Sequence, residues 1–127
     1  MKKIYYYKLV RDKIPERIKT AGATAKFKKL KLKEFEKELI KKVEEEATGL
    51  QKAKNRFELA DEIADVLDVI DEIKKLKKIS TQDIRQAQKK NFLHKGGFQK
   101  KLYLFWSSDD GYKTNEKRRD RHGKTIT

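Results

Sequence analysis

The chain has 127 residues, 34 Lys and Arg against 20 Asp and Glu, a formal charge of +14 and an apolar fraction of 36%. One domain is expected at this length, with a core that is small or completed by a partner chain. The lack of cysteine excludes disulfides, thiol catalysis and Cys-based zinc sites, and two histidines make a His-rich metal site a poor explanation. No apolar run reaches the roughly 20 residues of a membrane span, so a cytoplasmic protein with no membrane partner is expected, and the cation excess first suggests nucleic acid.

Residues 2–10 (KKIYYYKLV) are rich in aromatic and β-branched types and predict a short strand. Asp12 is placed to cap a short helix over about Lys13–Ala21, with Pro15 in its first turn and Gly22 ending it. Residues 23–32 read as loop or poor strand. A helix over about 33–54 follows from Phe35, Leu39, Val43, Ala47 and Leu50, which recur every three or four residues. After a break at Asn55-Arg56, a second long helix over about 57–77 carries Leu59, Ala60, Ile63, Ala64, Val66, Leu67, Ile70 and Ile73 as its apolar side. Ser80-Thr81-Gln82-Asp83 is a capping signal for a further helix that ends near His94, before Gly96-Gly97. Residues 99–106 (QKKLYLFW) predict a second strand that can pair with the first. Residues 107–127 lack apolar periodicity and are expected to form a polar, disordered tail. The predicted fold is thus mainly α, an antiparallel helical bundle with short terminal strands, over residues 1–106.

The charge is unevenly distributed. Residues 1–33 hold 12 cations against 2 acids and residues 74–106 hold 10 against 1, whereas residues 34–73 hold 13 acids against 6 cations. On the second long helix, Glu58, Asp61, Glu62, Asp65, Asp68 and Glu72 share an arc of about 120°, interrupted only by Val69. Like charges one turn apart repel, so an unmixed acidic face points to a divalent cation or to a basic surface against it. On the first long helix Glu46 projects into the apolar arc, where an ionised carboxylate is costly unless it is paired or bound to metal. An antiparallel hairpin of the two helices brings Glu46 toward Glu62 and Asp65.

These elements resemble the all-α nucleoside triphosphate pyrophosphohydrolases of the MazG-like and phosphoribosyl-ATP pyrophosphohydrolase-like superfamily, in which a Glu-Glu-x-x-Glu helix and a Glu-x-x-Asp helix hold Mg²⁺. KKVEEEATGL (41–50) is similar to the first element and EIADVLDVIDEI (62–73) to the second. KLVRDKIPE at 8–16 and Lys95-Gly96-Gly97-Phe98 match further elements of one branch, so the resemblance covers residues 5–106. It implies hydrolysis of NTP to NMP and pyrophosphate, as in house-cleaning of non-canonical nucleotides, with Mg²⁺ or alternatively Mn²⁺ as the ion. Glu46, Glu62 and Asp65 are the implied ligands, and Glu58 and Asp61 offer the same motif one turn earlier. Glu45 and Glu46 are the implied catalytic residues, and Lys8, Arg11, Lys13 and Lys95 the implied contacts to phosphate. The last glutamate of the first element falls at Gly49. Three consequences stay open: Glu45 or Glu58 substitutes for it, the site holds fewer ions and turns over slowly, or catalysis is lost and binding kept.

A homodimer or higher homo-oligomer is expected, because the second long helix is apolar over about half its circumference, more than one partner helix covers. The alternative function is a basic nucleotide- or nucleic-acid-binding module, with residues 113–124 as its cationic arm.

Overall fold

A computed structural model describes residues 2–108 and 118–126. Four helices dominate: α1 (Ile14–Thr20), α2 (Leu32–Lys52), α3 (Arg56–Lys77) and α4 (Thr81–Lys95). The chain forms two compact units, Met1–Lys89 and Lys90–Thr127, with α4 running across the boundary.

Local chemistry accounts for the helix ends. At α3, Asn55 caps the first turn by accepting from the Glu58 amide at 2.9 Å, while the Glu58 carboxylate accepts from the Lys54 amide at 2.7 Å. At α4, Ser80 and Asp83 form the reciprocal pair that the sequence signals, Asp83 N to Ser80 Oγ at 3.0 Å and Ser80 N to Asp83 Oδ2 at 2.9 Å. These two bonds hold the Asp83 carboxyl below its ordinary pKa, the backbone bond more than the side-chain bond. Helix α1 departs from the expectation. Its N-cap is Lys13 rather than Asp12, with no side-chain cap, because Pro15 sits in the first turn of a helix that begins only at Ile14. Gly22, at φ +78°, ends α1 through bonds from Gly22 N to Lys19 O and Ala23 N to Ile18 O. The same closure ends α3, but there the left-handed position is filled by Lys78 at φ 56°.

The two predicted strands are a correction. Neither residues 2–10 nor residues 99–106 pair with another strand, and Arg119 with Thr125 is the one β-bridge among the described residues. Tyr5 stacks on Tyr7 at 5.9 Å and Tyr103 meets Phe105 edge-on at 5.3 Å, but Tyr7 at φ 47° and Lys101 at φ 59° interrupt an extended run in both segments. A ladder additionally needs a partner for its backbone groups, and propensity alone does not supply one. Of the residues expected to form a disordered tail, 109–117 lie outside the described residues. Residues 118–126 close a turn in which Asp120 Oδ1 accepts from the amides of His122 and Lys124.

Helices α2 and α3 are joined by only three residues and pack antiparallel. Glu36 near the start of α2 pairs with Lys77 at the end of α3, and Gly49 near the end of α2 faces Glu62 near the start of α3. The residues withdrawn from solvent include Phe35, Leu39, Val43, Glu46, Gly49 and Leu50 on α2, and Glu62, Asp65, Val66, Val69, Ile73 and Leu76 on α3. Both sets repeat every three to four residues, the spacing of a helix–helix seam. The seam on α3 therefore runs through Val69, on the acidic side, and not along the stripe Leu59, Ile63, Leu67 and Ile70, which is 36–54% exposed. Leu39, at 5%, is the one buried residue among the described residues.

Candidate metal centre

The packing of α2 on α3 brings Glu46, Glu62 and Asp65 together, with one carboxylate oxygen from each lying within 4.8 Å of the others. All three are half-buried at the seam. Glu62 and Asp65 sit one turn apart on α3 and so share a face, and Glu46 meets them from across the hairpin. An octahedral Mg²⁺ with bonds of about 2.1 Å separates its oxygen ligands by about 3.0 Å in cis and 4.2 Å in trans. Small side-chain rotations therefore suffice to close this group on an ion. The donor set consists entirely of carboxylate oxygens, which suits a hard cation.

Cations already hold two of the three carboxylates. The Arg11 guanidinium spans Asp65 and Asp68, with Nη2 at 2.8 Å from an oxygen of each. The Lys42 ammonium lies 3.2 Å from Glu45 Oε2 and 3.6 Å from Glu46 Oε1, and donates to the Leu9 carbonyl at 2.9 Å. Glu62 has no ion pair among the described residues. Desolvation raises its pKa, and the charges of Asp65, Glu46, Asp61 and Glu58 push it in the same direction. A carboxylate that ionises reluctantly beside like charges is the group that gains most when a divalent ion arrives. The Arg11 guanidinium is shifted up, chiefly by its hydrogen bonds to Asp68 and then Asp65.

Gly49 opens the space that Glu62 uses. A Cβ built at position 49 would overlap Glu62 Oε2 and lie 3.0 Å from its Cδ. Position 49 thus lies on the side of α2 that faces Glu62, and the Glu62 carboxylate fills the room that the glycine leaves.

The other predicted residues are placed differently. Glu58 is committed to the cap of α3 through Lys54 N, and neither it nor Asp61 belongs to the three-carboxylate group. Glu45 pairs with Lys42 and lines a shallow cavity with Tyr7 and Lys8, so Lys8 is brought beside it. Arg11 meets carboxylates of α3. Lys13 caps α1 without an ion pair among the described residues, and Lys95 ends α4, outside this group. Sequence reasoning assigned Lys42 no role at the site, although its spacing from Glu45 and Glu46, three and four residues, is the signal that identifies it.

Comparison of the chain with known protein families, curated proteins and solved structures returned no match. No helix among the described residues is long and apolar enough to cross a membrane.

Proposed function

We propose that this protein is a divalent-cation-dependent nucleoside triphosphate pyrophosphohydrolase of the MazG-like type, acting in the cytoplasm on NTPs, non-canonical ones among them. The observation that carries the reading is the convergence of Glu46, Glu62 and Asp65 from two antiparallel helices, with the Arg11 guanidinium laid against Asp65 of the same group. Bound by these three carboxylates, Mg²⁺ or Mn²⁺ supplies charge neutralisation and polarisation at the phosphates. Glu45, at the edge of the cluster, orients water and accepts its proton as the water oxygen bonds to the α-phosphorus and the α–β bridge breaks toward pyrophosphate. Lys8 beside Glu45 meets the phosphate chain, and Arg11 offers it the remaining N–H groups of its guanidinium.

The protein as proposed is a homodimer or a larger homo-oligomer. Leu59, Ile63, Leu67 and Ile70 line one stripe of α3 away from the α2 seam. One buried side chain in a helical hairpin gives too little apolar burial to offset chain entropy. A second copy packing on that stripe completes a four-helix core.

The test is incubation with a panel of standard and modified NTPs, with and without Mg²⁺, and detection of NMP and pyrophosphate. Release of inorganic phosphate instead would refute the assignment, and Glu62→Gln is expected to abolish turnover. A second reading follows from Gly49 and from the turn at 118–126, where Arg119, Arg121, His122 and Lys124 are exposed around Asp120: a protein that binds nucleotide or nucleic acid without hydrolysis. It predicts no turnover and a binding affinity that falls steeply with salt.

A further inference from the structure

We propose that Lys42 is a positioning residue of the carboxylate site, holding Glu46 toward Glu62 and Asp65 and fastening the segment 9–11 over them. The proposal rests on the reading that this group of carboxylates binds a divalent cation. The Lys42 side chain is only 16% exposed, unusual for a lysine, and that of Glu46 is 19% exposed. The ammonium donates a hydrogen bond to Leu9 O and forms ion pairs with Glu45 Oε2 and Glu46 Oε1. One turn before Glu46 on the same face, it holds a carboxylate that would otherwise swing from the apolar arc of α2 into water.

The bond to Leu9 O extends the effect across the hairpin. Two residues after Leu9, Arg11 takes hold of Asp65 and Asp68 on α3. Lys42 and Arg11 thus pin the short segment 9–11 to both helices, and each fixes one candidate ligand, Glu46 or Asp65. Carboxylate ligands commonly depend on such hydrogen-bonded supports for orientation.

Two roles for Lys42 predict opposite signs. A plain counter-ion repels an incoming cation, so its removal tightens cation binding. A positioning residue pre-arranges a ligand, so its removal weakens cation binding. The experiment measures Mn²⁺ affinity of the full-length protein by calorimetry or by the paramagnetic signal of free Mn²⁺, at fixed ionic strength, for wild type, Lys42→Met, Lys42→Gln and Lys42→Arg. Lys42→Met is expected to weaken binding about tenfold, and Lys42→Arg to stay within about threefold of wild type. Lys42→Gln keeps a donor for Leu9 O but cannot hold two carboxylates, so it is expected to bind Mn²⁺ as weakly as Lys42→Met. Exchange of the Ile14 amide, which donates to Arg11 O, is expected to rise in Lys42→Met and not in Lys42→Arg. Unchanged or tighter Mn²⁺ binding in Lys42→Met, or in Lys42→Gln if Lys42→Met fails to fold, overturns the proposal while leaving the cation site intact. Failure of the wild type to bind Mn²⁺ removes the cation reading itself.

Discussion

Gly49→Ala separates the stability of the hairpin from the chemistry of its site, because the two should move in opposite directions. Position 49 lies inside α2, where glycine costs about 1 kcal/mol relative to alanine through the freedom it has in the unfolded chain. The new methyl group would meet the Glu62 carboxylate, with Cδ at 3.0 Å and Oε1 at 3.3 Å. The obstacle is the far end of a flexible side chain, so Glu62 yields by rotating rather than by parting the helices. Reaching ordinary contact requires its carboxylate to withdraw by about 1 Å. Thermal unfolding without divalent cations should therefore show a stabilisation of about 1 kcal/mol, which is roughly 4–8 °C for a unit of this size. Metal ligands tolerate displacements of only about 0.2 Å, so Mn²⁺ affinity should fall by about tenfold or more. If Mn²⁺ binds equally well to Gly49→Ala, Glu62 is not a ligand. If the variant is less stable than wild type, the glycine is needed for close approach of the helices, and the account of Glu62 as the yielding group fails. Gly49→Glu adds a fourth carboxylate at the same place, so its stability is expected to depend more strongly on added Mg²⁺ than that of wild type.

Further outcomes follow from particular contacts. Leu39→Ala removes the best-buried side chain and should cost about 2–5 kcal/mol, enough to unfold much of the protein in thermal or urea denaturation. Lys78→Gly should stabilise by about 1 kcal/mol, because a residue with a Cβ now occupies the left-handed position that ends α3, and a loss of stability would show that the lysine side chain matters more than its backbone strain. Asp83 has a lowered pKa in the folded state, so its contribution is present above the ordinary carboxylate pKa and lost as pH falls through the depressed value; amide protection at the start of α4, relative to the intrinsic exchange rate at each pH, should fall on that acidification and should not do so in Asp83→Asn. Leu67→Asp, on the exposed stripe of α3, should convert the proposed oligomer to monomer in sedimentation equilibrium, and a wild type that already sediments as a monomer would remove that part of the reading.

Much of this protein is determined by local sequence. Asn55 with Glu58 and Ser80 with Asp83 satisfy the free amides of their own helices, and Gly22 supplies a positive φ, so these boundaries need no distant contact. The spacing of Phe35, Leu39, Val43 and Leu50 likewise marks the inward side of α2, since helical periodicity is a property of the segment alone. The choice of side on α3 is different. The apolar side read from the sequence is broad, comprising Leu59, Ala60, Ile63, Ala64, Val66, Leu67, Ile70 and Ile73. The hairpin uses one edge of that side, Val66 and Ile73, together with Val69 from the acidic arc, which turns Glu62 and Asp65 toward Glu46. That choice depends on how two surfaces fit, which a single-helix pattern does not encode. The same holds for Arg11 and Lys42, whose partners Asp65 and Leu9 lie 54 and 33 residues away, and for the terminal segments, whose aromatic residues favour extension but cannot provide a neighbouring strand. Sequence alone thus determined the helices and the acidic character of α3, because caps and periodicity act over a few residues. The same patterning already pointed Glu46 toward Glu62 and Asp65; only the tertiary structure decided which cations hold them and which edge of α3 packs on α2, because that depends on the packing of one helix against another.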